Sequence, residues 1–282
     1  MPFDHSLVDQ PTTTLHAYAW RDTVLYALGI GAKVDELDYL YEGRGPKVHP
    51  GFAVVPKFQP MLDLLAKSGG NLATVVHGGE RVRIHKPFAP QGNVRTSVRI
   101  RGIYDMRRLA VVLVDTESKE ESGALLCETT SSIFFRGEGG FGGKPPPKED
   151  AGIDVPKDRP ADFRVEESTS MEQALLYRLS GDLNPLHADP EFAKLVGFEK
   201  GPILHGLATF GYMARHVTKG ALGGDATRLT GFAAQFRKPV WPGDTIVTEG
   251  WNVAPGKIAL QVSVKERSEI VITGAWATTT AA

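Results

Sequence analysis

Two short patterns recur in the same order about 150 residues apart, and this repetition limits what the chain can fold into more than any single motif. Leu25-Tyr26-Ala27-Leu28-Gly29 resembles Leu176-Tyr177-Arg178-Leu179-Ser180, an offset of 151 residues (Leu25 to Leu176). Lys86-Pro87-Phe88-Ala89-Pro90 resembles Lys238-Pro239-Val240-Trp241-Pro242, an offset of 152 (Lys86 to Lys238), and each is followed by a glycine, Gly92 and Gly243. Either match alone is weak. Two in one order at nearly one offset point to a duplicated domain. The 282 residues divide into an N-terminal domain (1–136), a linker (137–160) and a C-terminal domain (161–282). The repeated bodies run from about Thr14 to Arg136 and from Phe163 to Thr279. The linker is rich in Gly, Pro and charge, and Pro145-Pro146-Pro147 favours an extended, stiff spacer.

The elements read alike in both copies. In the second, Met171, Leu175, Leu176 and Leu179 recur at helical spacing and predict a helix over Met171–Leu179. Asp189-Pro190-Glu191 is a helix start, with an N-cap carboxylate and a first-turn proline, and Gly197 closes that short helix. A third helix begins near His205-Gly206. Its body, Leu207 to Ala214, is apolar on nearly all sides and predicts a buried helix. Alternating β-rich runs follow at Thr230–Phe236, Thr245–Val253, Ile258–Val264 and Ile270–Thr278, broken by Pro-Gly turns. The first copy offers a helix over Pro56–Ser68, then strands near Arg81–Ile84, Asn93–Tyr104, Arg108–Glu117 and Ala124–Phe135. Strands following strands with no alternating helices make the class α+β.

The densest chemical segment is Ser180-Gly181-Asp182-Leu183-Asn184-Pro185-Leu186-His187-Ala188-Asp189-Pro190. Asn184-Pro185 prevents a continuous helix, so Asp182 and His187 can face one pocket from a turn. A carboxylate beside an imidazole is an acid/base pair, because histidine titrates near neutrality and an acid can fix its tautomer. From spacing alone, a loop whose Asp and Asn merely cap backbone groups is the stronger reading. Gly201-Pro202-Ile203-Leu204-His205-Gly206 leads into the buried helix. A helix-end N–H at Gly206 favours developing negative charge, and glycine lets a carbonyl approach closely. Standing alone, that segment is only a helix start.

Together these blocks are specific. Tyr177 to Pro190, then Gly197-Phe198, Pro202-Ile203-Leu204-His205-Gly206-Leu207, and Arg237-Lys238-Pro239-Val240-Trp241-Pro242-Gly243-Asp244 resemble, in order, the signature of the MaoC-like hydratase-2 family. Gly137-Glu138-Gly139-Gly140-Phe141-Gly142-Gly143 resembles the inter-domain segment of its two-domain members. The resemblance implies a double hot-dog fold, two copies of a long helix wrapped by a curved antiparallel sheet. It implies hydration of a trans-2-enoyl-CoA to a (3R)-3-hydroxyacyl-CoA, with Asp182 and His187 as the catalytic pair, Asn184 in support and the Gly206 N–H polarising the thioester carbonyl. His205, Arg237, Lys238 and Pro202 are then candidate substrate contacts, and a homodimer is the expected assembly. A hot-dog thioesterase and a non-catalytic acyl-CoA-binding subunit are the alternatives. The repeat offset places Asp182 on Gly31 and His187 on Glu36, so the first copy has lost the pair and becomes a substrate-binding half.

Other signals are weaker. Lys and Arg total 32 against 33 Asp and Glu, so net charge makes no case for nucleic acid or an anionic membrane. No apolar run approaches the roughly 20 residues that span a bilayer. Met1 to Gln10 carries charges without an apolar core and does not read as a signal peptide. The single cysteine, Cys127, excludes an intrachain disulfide and fits a reducing compartment, so a cytoplasmic location is expected. Gly137-Glu138-Gly139-Gly140-Phe141-Gly142 matches G-x-G-x-x-G but runs into Lys144-Pro145-Pro146-Pro147, which cannot open the helix a dinucleotide site needs. The many arginines between Arg81 and Arg108 read mainly as the solvent side of strands. His77, His205 and His216 lack ligand-like spacing, so neither metal nor cofactor is expected.

Overall fold

The computed structural model describes residues 2–147 and 152–280. Its strands form one ten-stranded antiparallel sheet whose order repeats the duplication. The first copy supplies β1 (Thr12–Tyr18), β2 (Val75–Ile84), β3 (Gly92–Asp105), β4 (Leu109–Glu120) and β5 (Leu125–Arg136). The second supplies β6 (Phe163–Ser168), β7 (Leu229–Phe236), β8 (Thr245–Ala254), β9 (Lys257–Val264) and β10 (Glu269–Thr279). The spatial order is β1-β3-β4-β5-β2-β7-β10-β9-β8-β6, the same permutation in each half read inward from its outer edge. The copies join at β2 and β7, where Val82 pairs with Phe232 and Arg83 with Gly231. That junction removes an exposed edge from each copy.

Each half-sheet wraps its own helix. α3 (Val55–Lys67) and α6 (Gly206–Ala221) begin 151 residues apart, the repeat offset. Every residue of α6 from Leu207 to Thr218 is buried, as the apolar composition of Leu207 to Ala214 on all faces requires for that part. The shorter helices are α1 (Trp20–Gly29), α2 (Leu37–Leu40), α4 (Gln173–Tyr177) and α5 (Pro190–Leu195). No helix among the described residues is long and apolar enough to cross a membrane.

The helix expected over Met171–Leu179 is shorter and turned the other way. Only Gln173–Tyr177 is α-helical, with a 3-10 turn over Arg178–Ser180. Met171, Leu175 and Leu179 are 72%, 50% and 57% exposed, whereas Ala174 and Tyr177 are buried. The cause is the partner surface: α4 packs on its counterpart α1, and Gln173 Nε2 donates to the Leu28 and Gly29 carbonyls. The linker glycines also find a structural use. Asp105 accepts N–H bonds from Arg107, Gly140 and Gly142, with both glycines at positive φ, so this segment wraps a carboxylate of its own chain. Cys127 is buried, and burial pushes its thiol up to about 12.

Where the second copy carries its acid/base loop, the first carries Glu36. Its carboxylate is bound by Arg215 Nε at 2.8 Å and by Lys219 Nζ at 3.1 Å, and Arg215 also holds Glu167 at 2.9 Å. Two neighbouring histidines, His49 and His216, are buried, and burial together with the Arg215 charge lowers both to about 3. A histidine held neutral by folding contributes stability that is present above its unfolded value of 6.5 and is lost as pH falls toward its folded value. Each costs about 1.4 kcal/mol per pH unit across that window. Tm is therefore expected to drop steadily between pH 6.5 and 4.5 in a thermal-melt series; a flat profile there would mean that these imidazoles protonate freely in the fold.

Candidate active site

The loop between α4 and α5 is built from local bonds. Gly181, at φ 120°, turns the chain out of the 3-10 segment. Asp182 Oδ1 then accepts the Asn184 N–H at 3.2 Å, and Asn184 Oδ1 accepts the Leu186 N–H at 3.0 Å. Pro185 opens a second 3-10 turn through His187, and Asp189 Oδ1 caps α5 by accepting from Glu191 and Phe192. The result sets His187 Nε2 4.0 Å from Asp182 Oδ2. His187 Nδ1 lies 2.8 Å from the Ile203 carbonyl oxygen. A carbonyl can only accept, so Nδ1 carries the hydrogen and the neutral ring presents a lone pair at Nε2 toward Asp182.

Both groups are shifted toward their neutral forms. Burial raises the Asp182 carboxyl above its ordinary value, opposed by His187, the Asn184 N–H, His77 and Arg178. Burial lowers His187, opposed by Asp182 and the Ile203 carbonyl. His205 stacks on the His187 ring at 3.6 Å with planes 25° apart. Its Nε2 donates to the Asp182 carbonyl at 3.1 Å, while Nδ1 is buried without a partner among the described residues. Asp182, His187 and His205 have donor atoms within 4.8 Å of one another. Near-parallel stacked rings, however, send their in-plane lone pairs along separate planes, so the two imidazoles cannot converge on one ion about 2.0–2.1 Å from each.

The pair opens on a cleft of about 620 Å³. Asp182, Asn184, His187 and Gly206 line it, as do Arg237 and Lys238. Gly206 starts the 16-residue helix α6, and neither its N–H nor that of Leu207 has an acceptor among the described residues. These are ready donors at a helix N-terminus. Arg237 Nε is held at 2.6 Å by Thr273 Oγ1. Two expected substrate contacts, His205 and Pro202, are not among the residues that line the cleft. His205 is 1% exposed and supports the pair from behind, because its ring is sandwiched between His187 and Tyr177. The lining there begins with Ile203 and Leu204, one residue after Pro202.

The opposite wall comes from the other copy: Phe58, Met61, Leu62 and Leu65 of α3, Val76 and His77 of β2, and Ile133 of β5. Sequence reasoning assigns a substrate role to this half but names none of these residues. The one local signal is His77-Gly78-Gly79-Glu80, since paired glycines inside a strand mark a bulge or a close approach.

Fold and site together define a double hot-dog protein with one intact acid/base loop and one degenerate copy. Residues 16–137 match the MFE-2 hydratase 2 N-terminal domain, and residues 154–275 match the MaoC like domain. Enoyl-CoA hydratase 2, peroxisomal, of Arabidopsis thaliana is 35% identical over 93% of this chain and 90% of its own. Peroxisomal multifunctional enzyme type 2 of Mus musculus is 39% identical over 92% of this chain, which spans 36% of that longer protein. The crystal structure of a MaoC-like dehydratase from Phytophthora capsici superposes with a TM-score of 0.88 at 32% identity, covering 99% of this chain and 98% of the other. The chain belongs to the MaoC-like hydratase-2 family.

Proposed function

We propose that the protein hydrates trans-2-enoyl-CoA to (3R)-3-hydroxyacyl-CoA, with Asp182 and His187 sharing one water. The observation that carries this reading is the 4.0 Å gap between two acceptors, His187 Nε2 and Asp182 Oδ2, in a cleft that also holds a free helix-end N–H. A water in that gap can donate one hydrogen to each, which leaves its oxygen lone pair for C3 of the substrate. As the C3–O bond forms, the C2–C3 π electrons move toward the thioester and its oxygen becomes an enolate held by the Gly206 N–H. The water proton taken by the pair is returned to C2, so both atoms added come from one water on one face. The apolar wall from the first copy accepts the acyl chain, and Arg237 and Lys238 face the CoA phosphates.

Relatives named as enoyl-CoA hydratases support this reading over a thioesterase or a silent binding subunit. The test is a spectrophotometric assay of a short trans-2-enoyl-CoA, with free thiol measured in parallel. Loss of the conjugated enoyl band without thiol release is expected. Thiol release in step with substrate loss would make the protein a thioesterase, and no change in either would make it a binding subunit.

The pair must be unprotonated to accept both water hydrogens, so activity is lost on acidification. Burial lowers His187 below 6.5 and raises Asp182 above 3.8, and the two titrate as a unit. The acid limb of kcat/KM is expected between those two values. A limb at or above 6.5 would show that His187 is more solvated than its surroundings indicate.

We also assign the active form as a cytoplasmic homodimer, on the family resemblance and on a single reduced cysteine. Light scattering and the distribution of a fluorescent fusion test the two parts, and a peroxisomal signal, as in the names of relatives, would overturn the second.

A further inference from the structure

We propose that His77 is a positioning residue for the Asp182/His187 pair, supplied by the copy that carries no acid/base loop and held in place by the buried Lys57–Glu80 ion pair. This rests on the hydratase reading and adds to it a residue from the opposite side of the cleft.

The strand itself sets the ring. On β2, His77 pairs with Ile133 and Gly79 with Ser132, so Gly78 is an extra residue in the ladder. Such a one-residue bulge bends the strand and re-aims the side chains beside it. A Cβ on Gly78 would fall 2.3 Å from the Phe134 ring, so only glycine fits there without displacing that ring. The bend brings the Gly79 carbonyl and the Glu80 carboxylate back onto the imidazole: Nε2 lies 3.1 Å from Gly79 O and 3.1 Å from Glu80 Oε2. Both are acceptors, so Nε2 carries the hydrogen, and Nδ1 makes no bond to the described residues. The exposed 18% of the side chain belongs to a residue that lines the cleft.

Behind the ring, the same Glu80 oxygen accepts from Lys57 Nζ at 2.7 Å and from Ser131 Oγ at 2.8 Å. The side chains of Lys57 and Glu80 are fully buried. A buried ion pair contributes little net stability, because desolvation offsets the attraction, and apolar replacements of both partners are often neutral. Its presence is better explained by what it touches, and His77 is its contact toward the cleft.

In front of the ring are two parts of the site. The His77 ring packs edge-on against Phe236 at 5.3 Å, and the Phe236 ring lies 3.7 Å from where a Cβ on Gly206 would stand. His77 thus backs an aromatic ring that packs beside Gly206 at the start of α6. It also acts on Asp182 through space. The charged and titratable groups around that carboxyl are His187 on its own loop, Arg178 and Tyr177 on the preceding turn and helix, His205 on the α6 side and His77 on β2. His77 is the one among these that comes from the first copy, it lines the same cleft as Asp182, and a positive charge on its ring favours the ionised carboxylate that the water must meet.

The test compares His77→Phe, His77→Gln and the double variant Lys57→Met/Glu80→Leu with the unaltered protein in the hydration assay. His77→Phe keeps a ring against Phe236 but loses the polar edge. It should lower kcat by about 10- to 100-fold, the scale of a small misplacement of catalytic groups, with KM little changed. Its acid limb in kcat/KM should move to higher pH, because Asp182 loses a group that favours its charged form. His77→Gln should recover part of kcat, since an amide can still donate to Glu80. The double variant should fold and share the kcat loss. Unchanged kcat and an unmoved limb in His77→Phe, with only Tm lowered, would reduce His77 to packing and overturn the proposal. A double variant with full kcat would overturn the role given to the ion pair. An unaltered protein that does not hydrate enoyl-CoA would instead sink the hydratase reading.

Discussion

Asp182→Asn is expected to lower kcat for hydration by at least about 10²-fold, and His187→Gln by a similar factor, with the fold retained in both. The size follows from what each substitution removes. The carboxylate and the Nε2 lone pair are the two acceptors that meet across the 4.0 Å gap, and a water held by one of them loses its orientation toward C3. An amide at 182 can still accept from the Asn184 N–H, as Oδ1 does now, so the turn survives. It cannot carry the proton that must pass to C2. A loss of 10²-fold corresponds to about 2.7 kcal/mol in the barrier. Far-UV circular dichroism and Tm should stay near those of the unaltered protein while steady-state turnover collapses. Near-normal turnover in either folded variant would remove the pair from the chemistry.

The second large effect is structural. Arg215→Met is expected to destabilise the protein by about 3–5 kcal/mol, the usual result of removing one partner from a buried ion cluster. For a chain of this size that is a fall in Tm of roughly 10 °C. The Arg215 side chain is 2% exposed and joins Glu36 of the first copy to Glu167 of the second. Without it, two half-buried carboxylates face each other with Lys219 as the main remaining partner. The guanidinium beside Glu36 now holds that carboxyl down to about 2, so in the variant it should take up a proton at a higher pH than in the unaltered protein. Adding Glu36→Gln and Glu167→Gln to Arg215→Met should recover much of the loss. A variant as stable as the original would show that the cluster contributes no net stability. Glu36, the position that the repeat offset aligns with His187, is thus held by an arginine.

Much of this site is legible in the amino-acid sequence. The repeat offset aligns α3 with α6 and the two half-sheets strand by strand. The 180–190 segment gives its own turn, because Asp182, Asn184, Pro185 and Asp189 each act on backbone no more than three residues away. The direction of α4 is not legible. Met171, Leu175 and Leu179 have the spacing of a buried face, yet that face is open because the surface α4 meets is α1 of the other copy. His205 has the place of a substrate contact in the motif, and it points inward because the His187 and Tyr177 rings enclose it.

By itself, then, the sequence determined the duplication, a helix in each copy with the second one buried, and the local geometry of the Asp182–His187 turn, since periodicity and near-neighbour hydrogen bonds are set by adjacent residues. Only the tertiary structure decided which residues from about a hundred positions away complete the cleft, which apolar faces are covered, and that His77 lines the same cleft as Asp182. Those outcomes depend on how two packed surfaces fit together, and the free energy of that fit is shared among side chains that no short stretch of sequence brings side by side.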